Sequence, residues 1–133
     1  MNKIAKEKKI VFPIHPRTRK RVEEFGLQNY LKDITVIEPV DYLNLMGLVK
    51  RSWKVITGSG GLQKEAYFAK KQAVVLMNDT GCKELVDIRL NRLADKDELY
   101  KIVMCECKVK YHEEVSGTGD PAAIVGEILR SKF

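Results

Sequence analysis

Trp53-Lys54-Val55-Ile56-Thr57-Gly58-Ser59-Gly60-Gly61-Leu62-Gln63-Lys64-Glu65-Ala66 is the stretch whose reading decides the fold. Its first five residues are rich in aromatic and β-branched side chains, the composition of a strand. The strand runs directly into a glycine-rich turn, after which Leu62, Ala66 and Ala69 mark one face of a helix. Strand, short turn, helix is the building unit of a parallel sheet.

The alternation extends outward in both directions. Upstream, Ile10-Val11-Phe12 reads as a buried strand, followed by a helix from Thr18 with Val22 and Phe25 inward and Gly26 as its stop. Ile34-Thr35-Val36-Ile37 is the next strand. Asp41 then caps a helix whose apolar set is Tyr42, Leu45, Met46 and Val49. Downstream, Ala73-Val74-Val75-Leu76-Met77 and residues 88–93 read as two more strands. Asp95 with Glu98 resembles a capping box ahead of a helix carrying Leu99, Ile102 and Val103. Asp120-Pro121 opens a last helix expected to bury Ile124, Val125, Ile128 and Leu129. Cys105 to Tyr111 alternates like a strand but reads equally as an extended connection. The fold class expected is α/β, a doubly wound parallel sheet covered on both faces, with residues 1–133 forming one domain.

The 133 residues carry 24 Lys+Arg against 18 Asp+Glu, a formal charge of +6, with 44% apolar and 32% charged residues. This balance excludes a disordered or low-complexity chain. No apolar run approaches a membrane span, and the basic start lacks the apolar core of a secretion signal. Three cysteines without such a signal point to reduced thiols and a cytoplasmic location. Lys3, Lys6, Lys8, Lys9, Arg17, Arg19, Lys20 and Arg21 concentrate charge near the N-terminus. They suit either a phosphate-bearing partner or a solvated helix face laced by Glu23 and Glu24. The solvated face is the better reading, so a nucleic-acid partner is not expected.

In an open α/β sheet, ligands gather where strand C-termini meet helix N-termini. The turn Gly58-Ser59-Gly60-Gly61 lies at such a junction. Unpartnered amides of the first helical turn, with glycines that let a ligand approach, suit a diphosphate. A plain turn with glycine serving geometry alone fits the residues equally well. Glu65 is placed to accept hydrogen bonds from ribose hydroxyls, or to be an ordinary solvent-facing residue. Cys105, Cys107, Cys82 and His112 have spacing unlike a zinc knuckle, and a packing role is favoured. Trp53, Tyr42, Tyr67 and Phe68 are core candidates.

Three stretches occur in order: His15-Pro16-Arg17-Thr18-Arg19-Lys20-Arg21, then Ile37-Glu38-Pro39 with Tyr42-Leu43, then Ser59-Gly60-Gly61-Leu62-Gln63-Lys64-Glu65-Ala66-Tyr67-Phe68. In this the chain resembles the C-terminal half of the non-hydrolysing UDP-N-acetylglucosamine 2-epimerases. The likeness runs from about Ile10 to Leu93 and resumes around Gly117-Thr118-Gly119. The resemblance implies a glycosyltransferase-B-type architecture of two Rossmann-like domains with a nucleotide sugar between them. It implies interconversion of UDP-N-acetylglucosamine and UDP-N-acetylmannosamine by elimination and re-addition of UDP, without metal or redox cofactor. It assigns Ser59, Gly60 and Gly61 to the diphosphate, Glu65 to the ribose and His15 to the nucleotide end of the cleft.

The departures from the family pattern are as specific. Gly58 stands where an aspartate is usual and Lys64 where an acidic residue is usual. Met77 and Cys82 replace arginines, and Thr118 replaces an aspartate. The family's proton-transferring carboxylates lie in an N-terminal domain that has no counterpart here, so no catalytic residue is named. The first, central strand of the C-terminal domain also has no counterpart, which would leave strands without neighbours. The expectation is a truncated or split relative that binds UDP or a UDP-sugar weakly and is inactive alone. Its expected partner is a missing N-terminal half or a second copy of itself. The competing expectation is a basic interaction module that retains the fold.

Overall fold

The computed structural model describes residues 1–106, 111 and 121–132. Five short strands are β1 (Val11–Pro13), β2 (Thr35–Ile37), β3 (Lys54–Thr57), β4 (Gln72–Val75) and β5 (Asn91–Leu93). The helices are α1 (Asn2–Ala5), α2 (Pro16–Glu24), α3 (Tyr42–Arg51), α4 (Gly60–Phe68), α5 (Lys83–Asp87), α6 (Leu99–Met104) and α7 (Pro121–Lys132), with a 3-10 turn at Gln28–Leu31. Every pairing is parallel, as the strand–helix alternation requires.

The sheet is in two pieces. β1 pairs with β2, and β3, β4 and β5 pair in that order. β4 carries both ladders of its sheet and all four of its residues are buried, the mark of a strand covered on both faces. One face of this sheet is covered by α1 and α6: Ile4, Leu99, Ile102 and Val103 pack on Val74 and Ala94. On the other face α3 and α4 bring Val49 and Ala66 onto Val55 and Ala73. A third cluster joins Tyr67 of α4 to Cys82, Leu85 and Leu90 around α5.

Helix ends follow their predicted chemistry. Asp41 Oδ1 accepts from Asn44 N–H at 2.9 Å, and Asp95 Oδ1 accepts from the amides of Asp97 and Glu98 at the head of α6. Gly26 adopts φ +64°, and with Leu27 N–H donating to Val22 C=O it closes α2 in a left-handed cap.

Several packing expectations are corrected. Ile124, Val125, Ile128 and Leu129 of α7 are not buried but 49–54% exposed, because no described element covers that stripe. Phe25 is 65% exposed: it sits at the C-cap of α2, beyond the inward face, under the Arg21 guanidinium. Of the four aromatic core candidates only Tyr67 is buried; Trp53, Tyr42 and Phe68 are exposed. Trp53 instead lies between the ammonium groups of Lys8 and Lys54. The basic start is not wholly solvated, since α1 delivers Ile4 to the core. α5 was not foreseen, and the strand expected over 88–93 begins only at Asn91. Cys107 and His112, with most of the expected strand from Cys105 to Tyr111 and the Gly117-Thr118-Gly119 motif, lie outside the described residues.

Candidate functional site

The carboxyl ends of the strands gather the residues singled out by sequence. His15 follows β1, Glu38 follows β2, Ser59 follows β3 and Met77 follows β4. Arg19 of α2 forms an ion pair with Glu38, tying the first two motifs together across the β1–β2 edge. Arg21 pairs with Glu24 on the same helix. Two cations of the basic run thus have carboxylate partners, whereas Glu23 plays no part in either pair.

The turn after β3 is built by Thr57, whose buried hydroxyl accepts the Ser59 N–H at 2.9 Å. Ser59 occupies the N-cap of α4, with its C=O accepting from Gln63 N–H. Its hydroxyl makes no capping bond, although capping is the usual task of a serine there. Gly58, Ser59, Gly60 and Gly61 are all exposed. None of the three glycines has positive φ. A Cβ on Gly58 or Gly60 would meet nothing within 4 Å, and one on Gly61 only the Ser59 hydroxyl at 3.8 Å. Neither the turn nor its packing therefore demands glycine. What glycine leaves at this place is open space over the amides that begin a nine-residue helix.

Glu65 is half-buried, one turn further along α4. The Tyr42 hydroxyl hydrogen-bonds its carboxylate, which holds the phenol above its ordinary pKa. Tyr42 opens α3, so the α3–α4 packing that makes the core also brings Glu65 to the head of α3. Sequence reading had placed Tyr42 in the core; its i, i+3, i+4, i+7 pattern gave no sign of a polar partner.

His15 is exposed and serves as the N-cap of α2, its Nδ1 accepting from Arg17 N–H at 3.2 Å. That bond makes Nδ1 the acceptor and leaves Nε2 with no part in the cap.

A buried polar network, which sequence reading missed, supports the turn from behind. Gln63 Oε1 accepts from Thr80 Oγ1 at 2.8 Å and from Asn91 Nδ2 at 2.9 Å, with all three side chains buried. Thr80 Oγ1 in turn accepts from Cys82 N–H. The first turn of α4 is thereby locked to the loop after β4. Nothing in an isolated Gln, Thr or Asn signals such a meeting; a polar residue on the inward face of α4 was the available hint. Cys82 is 4% exposed and belongs to the core cluster around α5. Beyond Met77, a shallow depression of about 610 Å³ is lined by Leu76, Asn78, Ala94, Asp95, Lys96 and Leu99, with Met1 at its edge. Among the described residues no three metal-ligating side chains come together.

Parallel strands, helices on both faces and an open glycine turn at the strand ends define an α/β protein of the Rossmann-like type. Comparison with known proteins makes this specific. The sequence model of the UDP-N-acetylglucosamine 2-epimerase family matches residues 1–117, and the chain belongs to that family. It is 47% identical over 102 residues to a UDP-N-acetylglucosamine 2-epimerase of Methanococcus maripaludis, covering 73% of this chain and 28% of that protein. It is 44% identical over 84 residues to the UDP-2,3-diacetamido-2,3-dideoxy-D-glucuronate 2-epimerase of Pseudomonas aeruginosa, covering 63% of this chain and 24% of the relative. The Methanocaldococcus jannaschii UDP-GlcNAc 2-epimerase, solved in complex with UDP-GlcNAc and UDP, superposes with a TM-score of 0.79 at 36% identity. That match covers 94% of this chain and 36% of the solved one. The chain thus spans about a quarter of the length of the curated relatives it matches.

Proposed function

We propose that residues 1–133 form the nucleotide-binding domain of a UDP-sugar 2-epimerase. The diphosphate lies over Ser59, Gly60 and Gly61, Glu65 receives the ribose hydroxyls, and His15 Nε2 faces the nucleotide end of the cleft. The observation that carries this reading is the glycine turn, where the exposed Gly60 and Gly61 have neither positive φ nor a crowding neighbour to require them. Close approach by a ligand is the remaining physical reason for their lack of side chains. The free Ser59 hydroxyl and the half-buried Glu65 carboxylate one turn on support it.

The reaction of the complete system is inversion at C2 of a UDP-2-acetamido sugar through elimination and re-addition of UDP. No metal or redox cofactor takes part in that chemistry. This domain supplies the hold on the leaving group, which is UDP itself. Binding that strengthens as charge develops on the departing diphosphate contributes to the rate. Proton transfer at C2 needs groups on the opposite wall of the cleft, and none is assigned among these residues. Alone, the chain is a weak UDP binder without turnover. Among the described residues no helix is long and apolar enough to cross a membrane, and a cytoplasmic location fits UDP-sugar metabolism.

The test is thermal unfolding with millimolar UDP. The melting temperature rises for the wild type. Glu65→Ala abolishes the rise, and Gly60→Val, which places a side chain over the amides, does the same. A wild-type chain indifferent to UDP, yet binding nucleic acid with steep salt dependence, would replace this reading with the basic interaction module.

A further inference from the structure

The amino edge of the β3–β4–β5 sheet, opposite the glycine turn, carries a pattern of its own. α3, α4 and α5 each run back to this edge and reach the next strand through two or three residues. Cations gather in those short connections and the helix ends before them. Lys50 and Arg51 close α3, Lys70 and Lys71 lead into β4, and Arg89 leads into β5. The registers pair Lys54 with Gln72 and Ala73 with Asn91, so Trp53, Lys71 and Arg89 stand in one row just before the ladders begin. The acids on this edge are fewer: Asp87 ends α5, Glu106 lies beyond α6, and the Glu7 carboxylate takes the Tyr100 hydroxyl. Among the described residues Lys50, Arg51, Lys71 and Arg89 have no carboxylate partner.

Two of the cations sit where a side chain is strained. Lys70 has φ +57° and Arg89 φ +60°. They directly follow the C-caps of α4 and α5, a position that glycine ordinarily fills because it has no Cβ to crowd. A cation complements the negative end of a helix dipole from any place in the last turn, so the dipole gives no reason to choose the left-handed one. Strain kept at two matching places on one edge calls for a use of the charge outside the domain. Aromatic side chains stand among the cations. Trp53 is 42% exposed, with the ammonium groups of Lys8 and Lys54 4.6 and 4.9 Å from its ring centre. Phe68, the last residue of α4, is 64% exposed.

We propose that this edge docks on an anionic lipid bilayer, with Trp53 and Phe68 at head-group depth and the cations over the lipid phosphates. Rings of this kind settle at a membrane interface, and lysine stems bury their methylenes while the ammonium stays among the head groups. Lysine outnumbers arginine here. Point-like ammonium charges suit a laterally mobile anionic surface, whereas fixed phosphates favour the planar guanidinium. Single-stranded nucleic acid is disfavoured for a second reason: with cations already over its ring, Trp53 is a poor platform for a stacked base. The glycine turn lies at the opposite edge, so docking leaves it open to water and is independent of what the turn binds.

Trp53 is the single tryptophan of the chain, so its emission reports the contact directly. The full chain is mixed with phosphatidylcholine vesicles containing about one-third phosphatidylserine, at about 0.1 M salt. Expected is co-sedimentation with a blue shift of Trp53 emission, both lost on pure phosphatidylcholine and at about 0.5 M salt. Lys70→Gly combined with Arg89→Gly removes two charges and relieves two left-handed residues. Vesicle affinity should fall about twentyfold, at roughly fivefold per charge, while Tm stays level or rises. Lys50→Gln with Arg51→Gln should give a similar loss from ordinary helical backbone. The proposal is overturned if the chain stays in solution with anionic vesicles, if it binds pure phosphatidylcholine equally, or if Trp53 emission does not move on binding. It is equally overturned if both double variants bind like the wild type. A DNA duplex that strips the chain from vesicles at equal phosphate concentration would put nucleic acid in the place of lipid.

Discussion

Gln63→Leu is the substitution whose effect the structure sets most tightly. Leucine has a similar volume and suits an inward helix position, so the change removes the carboxamide while keeping the bulk. That oxygen accepts from both Thr80 Oγ1 and Asn91 Nδ2, and Gln63 is 1% exposed. Asn91, equally buried, cannot turn its amide to water; its orphaned N–H costs about 1–3 kcal/mol. The Thr80 hydroxyl still accepts from Cys82 N–H but loses its own acceptor, adding about 1 kcal/mol. The sum is about 2–4 kcal/mol. For 133 residues each kcal/mol moves the midpoint by about 3–4 °C, so Tm falls by about 7–14 °C. Urea unfolding should show the same loss with an unchanged slope. The decisive measurement is the double variant Gln63→Leu with Asn91→Leu. Removing donor and acceptor together leaves less unpaired, so the pair should lose at least about 1 kcal/mol less than the sum of the single losses. A single variant within about 2 °C of wild type, or strictly additive losses, would refute the reasoning.

Three further outcomes follow from separate features. Asp41 is held below its ordinary pKa by hydrogen bonds from the Asn44 amide and side chain. Its contribution is present above the unfolded value and is lost as pH falls through the folded one; Asp41→Asn, which still caps, should flatten the stability profile below about pH 4 in urea melts. Gly26→Ala should cost about 1–2 kcal/mol by thermal unfolding, because φ is +64° while the space around it is open and the penalty is purely conformational. Ile128→Lys in α7 should shift Tm by less than about 2 °C, since that side chain is half exposed; a larger loss would mean that the stripe is covered.

Chemistry confined to neighbours along the chain was legible in the sequence. The Asp41 cap, the Gly26 stop and the strand running into the glycine turn each depend on residues within a few positions, and all are found; Asp95 instead caps the turn ahead of α6, whose own N-cap, Glu98, makes no side-chain capping bond. So does the apolar triplet Leu99, Ile102 and Val103, which is buried as its spacing requires. What failed was inference from apolar pattern to burial where the second surface is absent. α7 has a well-formed stripe from Ile124 to Leu129, but periodicity reports which face is apolar and not whether anything lies against it. Tyr42 fits the same kind of pattern and is exposed, with its hydroxyl on Glu65. The polar network of Gln63, Thr80 and Asn91 was invisible for the opposite reason: its members lie 17 and 28 residues apart, and only the tertiary fold joins them.

The replaced arginines pose the sharpest question for a diphosphate seated on the turn, and the fold narrows the answer. Arg89 cannot substitute for them. Its carbonyl accepts from the side chain of Gln72, the first residue of β4, which places it at the amino edge of the sheet, opposite the turn. Lys83 is exposed and directly follows the loop after β4, on the carboxyl edge. Lys64 is exposed on α4 itself. Relative to the family pattern, Met77 and Cys82 remove two positive charges, while Lys64 exchanges one negative charge for a positive one. With Gly58 also standing in place of an acidic residue, the formal charge around the turn is one unit more positive, so long-range attraction for a diphosphate persists. What is lost is the planar, bidentate grip that guanidinium gives and ammonium does not. Under the proposed function, affinity for UDP should therefore be lowered through short-range geometry, and binding should depend more heavily on screened, point-like charges and so on ionic strength.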